Sequence, residues 1–276
     1  MRTLVRRLIV ETGRRVPLPR ASSRVIVLCY HSVHPTRPFV SARPESFERQ
    51  LTWLKEHCTI GSLSDVLLEA ATPEQRERPL VAITFDDGYV DNYEFAFPLL
   101  YRFGIRATFF LTVGFIERDP LAVERFRSFA PGDPEGARAL AWSQVREMRQ
   151  AGMEFGTHTY SHPNLARLRP SEAEFELRQS KTIMEEHLKE PVIYSAYPFG
   201  KPGRHFTPET MGIVAKVGYH CAAAITFRSV CASHSRYAVP RFYVAGDNLR
   251  TLQEKIFGAW DFLGLWHERA PAFLQR

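Results

Sequence analysis

The chain reads as an α/β protein built of parallel βα units, either a barrel or a doubly wound sheet. Apolar runs alternate with helix-period patterns along most of the 276 residues. The polar clusters that stand out, at His31, Asp86-Asp87, His158 to His162 and Tyr197 to Gly200, all follow predicted strands, where such folds carry their chemistry. No internal repeat and no linker interrupts the alternation, so a single domain over residues 24–276 is expected after a basic segment, 1–23.

The elements follow in order. Arg24 to Tyr30 reads as a buried strand ending at His31. Pro44 to His57 places Phe47, Leu51 and Leu54 on one helical face, and a second short helix covers Leu63 to Ala70. Leu80 to Phe85 is the next strand, followed by a helix from about Asp91 to Phe103 and a strand from Arg106 to Leu111. Residues 117–141, rich in charge, Pro and Gly, read as an inserted excursion rather than a scaffold element. The alternation resumes with a helix from Ser143 to Ala151 and a strand from Met153 to Thr157. Ser171 and Glu174 have capping-box spacing and open a long helix to about Lys189. Val192 to Ala196 is a strand, Thr207 to Val217 a helix, Tyr219 to Ile225 and Val239 to Val244 strands, and Leu249 to Trp260 a last helix.

Composition narrows the function classes. At 45% hydrophobic and 24% charged residues the chain is an ordinary globular protein. Its net charge of +6 is scattered, and no basic run with interleaved aromatics supports a nucleic-acid groove. Cys29, Cys58, Cys221 and Cys231 form no CxxC pair, so free thiols are expected. In the basic segment, Leu8-Ile9-Val10 is too short for a signal-peptide core or a membrane span. The expectation is therefore a cytoplasmic protein whose N-terminus is a packed terminal helix or a peripheral contact on the inner membrane face.

The chemistry centres on Asp86-Asp87, which ends an apolar run, and on His158-Thr159-Tyr160-Ser161-His162-Pro163. Buried charge is costly unless it is paired or metal-bound. Alone, the carboxylates read equally well as a helix cap, and the histidines as surface loop residues. Together they offer one carboxylate and two imidazoles for a metal, with a second carboxylate left to act as a base. That is the minimum set for metal-assisted hydrolysis.

Thr84-Phe85-Asp86-Asp87-Gly88 and His158 to Pro163 resemble the first two motifs of the polysaccharide deacetylases, the NodB-homology domain of carbohydrate esterase family 4. Ala141-Trp142-Ser143, Tyr197-Pro198-Phe199-Gly200 and Val217-Gly218-Tyr219 extend the resemblance over roughly residues 25–245. It implies a distorted (β/α)7 barrel and a divalent metal, usually zinc, held by Asp87, His158 and His162, with Asp86 as general base. The Phe199 N–H would help to hold the oxyanion.

Two features depart from the family pattern. The Arg expected before the third motif is Ala196 here, and Arg241 is the candidate to orient Asp86 in its place. A C-terminal Leu-x-His is not evident, and His31 in Cys29-Tyr30-His31-Ser32 is the candidate general acid, as in a subgroup of exopolysaccharide deacetylases. Tyr89, Tyr197 and Trp142 are candidates to stack on a sugar. His34, His205, His220, His234 and His267 are expected to be structural or exposed.

The activity implied is removal of an N-acetyl group from an amino sugar in a glycan or a lipid-linked or nucleotide-linked precursor. An O-acetyl esterase, a deformylase or a non-catalytic glycan-binding protein are the alternatives. Oligomeric state is not legible.

Overall fold

The computed structural model describes residues 24–36, 41–71, 76–129, 138–244 and 246–264. Its centre is an eight-stranded, entirely parallel sheet, ordered β10-β1-β5-β6-β7-β8-β9, with β4 pairing on β5. The strands are β1 (Val25–Tyr30), β4 (Thr59–Ile60), β5 (Leu80–Phe85), β6 (Thr108–Leu111), β7 (Glu154–Thr157), β8 (Tyr194–Ala196), β9 (Cys221–Ala223) and β10 (Phe242–Tyr243). A parallel bridge from Ala223 to Val239 leads from β9 back to the chain entering β10, so the sheet curls on itself as the predicted distorted barrel. A separate pair, β2 (Ser32–Val33) and β3 (Ser41–Ala42), lies beyond β1.

The helices are α1 (Pro44–His57), α2 (Leu63–Ala71), α3 (Phe97–Phe103), α4 (Val113–Ile116), α5 (Pro120–Phe129), α6 (Trp142–Gln150), α7 (Pro170–Leu188), α8 (Pro208–Val217) and α9 (Leu249–Ile256). A π-helical turn, Asn92–Ala96, leads into α3.

Alternation along the strands sorts the side chains between two cores. Ile26, Leu28 and Tyr30, with Val81, Ile83 and Phe85, pack outward under the helices against residues such as Phe47 and Leu51. Val25, Val27, Leu80 and Ala82 face the barrel interior with Phe110, Ala196 and Ala223. The register aligns Tyr30, Phe85, Phe109 and Phe155 on adjacent strands. Their rings stack in a row at 5.5, 4.8 and 5.7 Å. Burying one such ring contributes about 1.5–3 kcal/mol, and the row fixes strand register because a one-residue slip would turn every ring inward.

Several predicted boundaries change. The long helix starts at Pro170, because the fixed φ of proline suits a first helical position. Arg169 N–H therefore bonds Glu172 Oε2, and Glu174 instead pairs with Arg178 and Lys216. The late strands shrink to Cys221–Ala223 and Phe242–Tyr243. Within residues 117–141 the described part holds a scaffold helix, α5, whose Ala122 and Phe126 are fully buried. Residues 1–23, 130–137 and His267 lie outside the described residues. The four cysteines are free, and no described helix is long and apolar enough to cross a membrane.

Candidate active site

The parity that buries Tyr30 and Phe85 under the helices sends Cys29, His31, Thr84 and Asp86 to the barrel mouth. Asp86 N–H continues the ladder by donating to Tyr30 O at 3.0 Å. In a regular strand Asp87 would then face outward. A left-handed backbone, φ 78°, bends it away from that course, and Gly88 follows at φ 88°. The second motif leaves β7 in the same way: His158 N–H donates to Leu111 O, and Thr159 and His162 both adopt left-handed φ, 67° and 57°. Such residues cost of order 1–3 kcal/mol each and persist where the surroundings hold them.

These turns bring Asp87, His158 and His162 together. Asp87 Oδ1 lies 3.6 Å from His158 Nε2 and 3.4 Å from His162 Nε2. Oxygen–nitrogen edges of ~3.4 Å are what a tetrahedral zinc with bonds of about 2.0–2.2 Å requires. His158 Nδ1–H donates to Ala196 O at 2.9 Å, which assigns the proton to Nδ1 and leaves Nε2 bare. Burial pulls both imidazoles below their ordinary pKa, which favours the neutral, ligating form. The donor set, one carboxylate and two imidazoles, fits a divalent cation with positions left open.

Asp86 stands apart from that set. Arg241, fully buried, donates Nη1–H to Oδ1 and Nη2–H to Oδ2, both at 2.7 Å. Arg241 also donates to Thr84 Oγ1 at 3.0 Å and lies over the Phe110 ring. Burial pushes the Asp86 carboxyl up, but Arg241 and His158 outweigh it and hold it well below the usual carboxylate range. Arg241, just before β10 rather than inside the longer strand expected from Val239 to Val244, thus grips Asp86 from where the candidate orienting residue was sought. His31 is partly exposed beside them, its ring edge-on to Tyr243 at 5.2 Å. Its pKa is lowered to about 4 by burial, partly offset by Asp86.

Phe199 centres a tight turn in which Gly200 N–H donates to Pro198 O at 2.7 Å. Phe199 and Gly200 are both left-handed, at φ 61° and 67°. A Cβ at Gly200 would meet Ile225 Cγ1 at 2.6 Å, so only glycine fits there. The half-exposed Phe199 ring lies 4.8 Å from that of His162.

Of the three aromatics expected to stack on a sugar, Tyr89 and Tyr197 are buried, and Trp142 is partly exposed with one face on His187. Tyr89 is buried among Phe115 and Phe126. Tyr197 is buried on Phe206, centroids 3.8 Å apart, with its hydroxyl donating to Tyr237 O. Trp142 stacks on His187 and donates to Glu117. The exposed or partly exposed rings beside the cluster are instead Phe199, Phe129 and Tyr243.

Other supports also escaped the sequence reading. Glu176 on α7 accepts from Tyr160 N–H, Ser161 N–H and the Ser161 hydroxyl at 3.0, 2.8 and 2.6 Å. Arg125 on α5 donates to Ser161 O at 2.6 Å, and Phe126 and Phe129 pack edge-on to His162. Asn92 Nδ2–H donates to His31 O at 2.7 Å, and Ser32 Oγ–H to Asp91 at 2.5 Å. A capping-box match three residues away is the kind of signal a sequence displays; Glu176 lies on a different element from the loop it holds.

Comparison with known proteins bears on this geometry. The sequence profile described as Polysaccharide deacetylase matches residues 74–222. YxkH of Bacillus subtilis (strain 168) is 26% identical over 241 residues, covering 86% of this chain and 74% of that one. The poly-beta-1,6-N-acetyl-D-glucosamine N-deacetylase of Staphylococcus aureus (strain MRSA252) is 25% identical over 231 residues, covering 80% and 72%. The fold is that of Streptococcus pyogenes deacetylase PplD, solved in complex with acetate, with a TM-score of 0.72 at 24% identity over 85% of this chain and 99% of that chain.

Proposed function

The chain belongs to the polysaccharide deacetylase family, and from that premise we propose that it is a metal-dependent N-deacetylase of an N-acetylated amino-sugar polysaccharide. The observation that carries the proposal is the division between adjacent carboxylates: Asp86 is tied to Arg241, while Asp87 faces two imidazoles. The substrate class rests on the Staphylococcus aureus relative, which acts on a poly-N-acetylglucosamine.

Asp87, His158 and His162 would hold the cation, which when bound polarises the acyl carbonyl and lowers the pKa of water. Asp86, kept ionised by Arg241, takes the proton of the attacking water. His31, at the same mouth, gives its proton to the leaving nitrogen as the C–N bond breaks, and solvent then restores that proton and takes the one on Asp86. The Phe199 N–H is the oxyanion donor, a role that typically contributes about 3–4 kcal/mol. The presence of Asp86 as a base together with all three cation ligands counts against a non-catalytic glycan binder.

The test is acetate release from N-acetylglucosamine oligomers by protein loaded with zinc. Asp86→Asn and His158→Ala should each abolish it, and release that survives either change refutes the mechanism. O-acetylated, N-formylated and lipid-linked substrates in the same assay identify the bond cleaved and the form of the glycan.

A further inference from the structure

One group at the barrel mouth has no part in that reaction. Cys29 Sγ lies 3.3 Å from Asp86 Oδ2 and 4.0 Å from His31 Nδ1. All three side chains offer ligand atoms within 4.8 Å of one another, beside but separate from Asp87, His158 and His162. In a tetrahedral zinc site with Zn–S of about 2.3 Å, the sulfur–oxygen and sulfur–nitrogen edges are both ~3.6 Å, within a few tenths of an ångström of what is found. The thiol proton now lies on the line to Oδ2 that a cation would take. Each carboxylate oxygen has two lone pairs, so Oδ2 can accept from Arg241 and still face the sulfur.

We propose that Cys29, His31 and Asp86 form a second, inhibitory site for a soft divalent cation such as cadmium or excess zinc. Binding breaks the S–H bond, forms a thiolate–metal bond and releases the proton to solvent. A thiolate in the donor set selects zinc and cadmium over magnesium and manganese. Occupancy ties up the base and the proton carrier together, so the inhibitory consequence rests on the functional reading above, whereas the binding does not. His31 is the member of the three that reaches solvent.

The experiment is a titration of the metal-free full chain with cadmium, followed by near-ultraviolet thiolate–cadmium absorption, with Cys231→Ser carried by wild type and every variant to remove the exposed thiol beside His234. Wild type should bind two equivalents with the thiolate band. His158→Ala should bind one equivalent with the band, and Cys29→Ser one equivalent without it. Absence of the band in wild type, or its persistence in Cys29→Ser, overturns the site. Circular dichroism of Cys29→Ser and of a second variant, Cys29→Ala, separates loss of the site from loss of the fold. In the acetate assay, the cadmium concentration for half-inhibition should rise at least tenfold in Cys29→Ser; an unchanged value overturns the inhibitory role. If wild type releases no acetate with any metal, the functional reading fails while the absorption titration still decides the site.

Discussion

Replacing Arg241 by Met removes one partner of a fully buried, bidentate ion pair and leaves the other in place. The Asp86 carboxylate, 2% exposed in the wild type, would lose its guanidinium partner and keep Cys29 and His158 facing it. Breaking such a pair from one side costs about 3–5 kcal/mol, because the surviving charge is desolvated without compensation. The pH dependence follows from the sign of the Asp86 shift. In the wild type its folded pKa is depressed, so its stabilisation is present above the unfolded value of about 3.9 and is lost as pH falls through the folded pKa. Without Arg241 the burial that pushes the carboxyl up outweighs what remains, and the folded pKa rises above the unfolded one. The variant is then penalised at neutral pH and recovers relative to wild type as acid neutralises Asp86. Urea unfolding of the metal-free proteins across the mildly acidic range should show a difference of about 3–5 kcal/mol at neutral pH that shrinks toward acid. The double variant Arg241→Met/Asp86→Asn should regain much of the loss, since no unpaired charge remains. A loss below about 1 kcal/mol, the size of an exposed pair, or one independent of pH would refute this account of Asp86.

Two further predictions concern the walls of the site. Glu176→Ala should weaken zinc binding about 10- to 100-fold in a chelator competition while leaving metal-saturated turnover near wild type, because Glu176 holds the backbone of the histidine loop rather than any reacting atom. At position 199, where φ is 61°, Phe199→Gly should be more stable than Phe199→Ala by about 1–2 kcal/mol in thermal unfolding, the reverse of their order in a helix or strand.

Parallel βα units were readable because their strands are buried on both faces and announce themselves as apolar runs, whereas the choice of a barrel came from the family resemblance and the alignment of Tyr30, Phe85, Phe109 and Phe155 across strands was not read at all. Asp86, Asp87, His158 and His162 were readable because each falls where a strand ends. The placements of Tyr89 and Tyr197 were not. Both adjoin motif residues, and nearness in sequence says nothing about which way a left-handed turn sends the next side chain. Asp87, Gly88 and Phe199 all lie in such turns. Arg241 was found as a candidate only because the position at Ala196 lacked the expected charge. Glu176, Arg125 and Asn92 left no trace, since each bonds backbone of a segment on another element.

The helix inside residues 117–141 changes how far this molecule can be cut down. By composition that stretch looks detachable, a loop to be shortened for a minimal barrel. Yet Phe126 and Phe129 form one side of the pocket around the His162 ring, and Arg125 pins the carbonyl of the residue before it. A truncated chain without them would keep every residue of the two opening motifs and still present His162 to water on a turn held from the α7 side alone. The smallest stable site therefore includes α5, and its boundary is drawn by what shields His162 rather than by where the motifs stop.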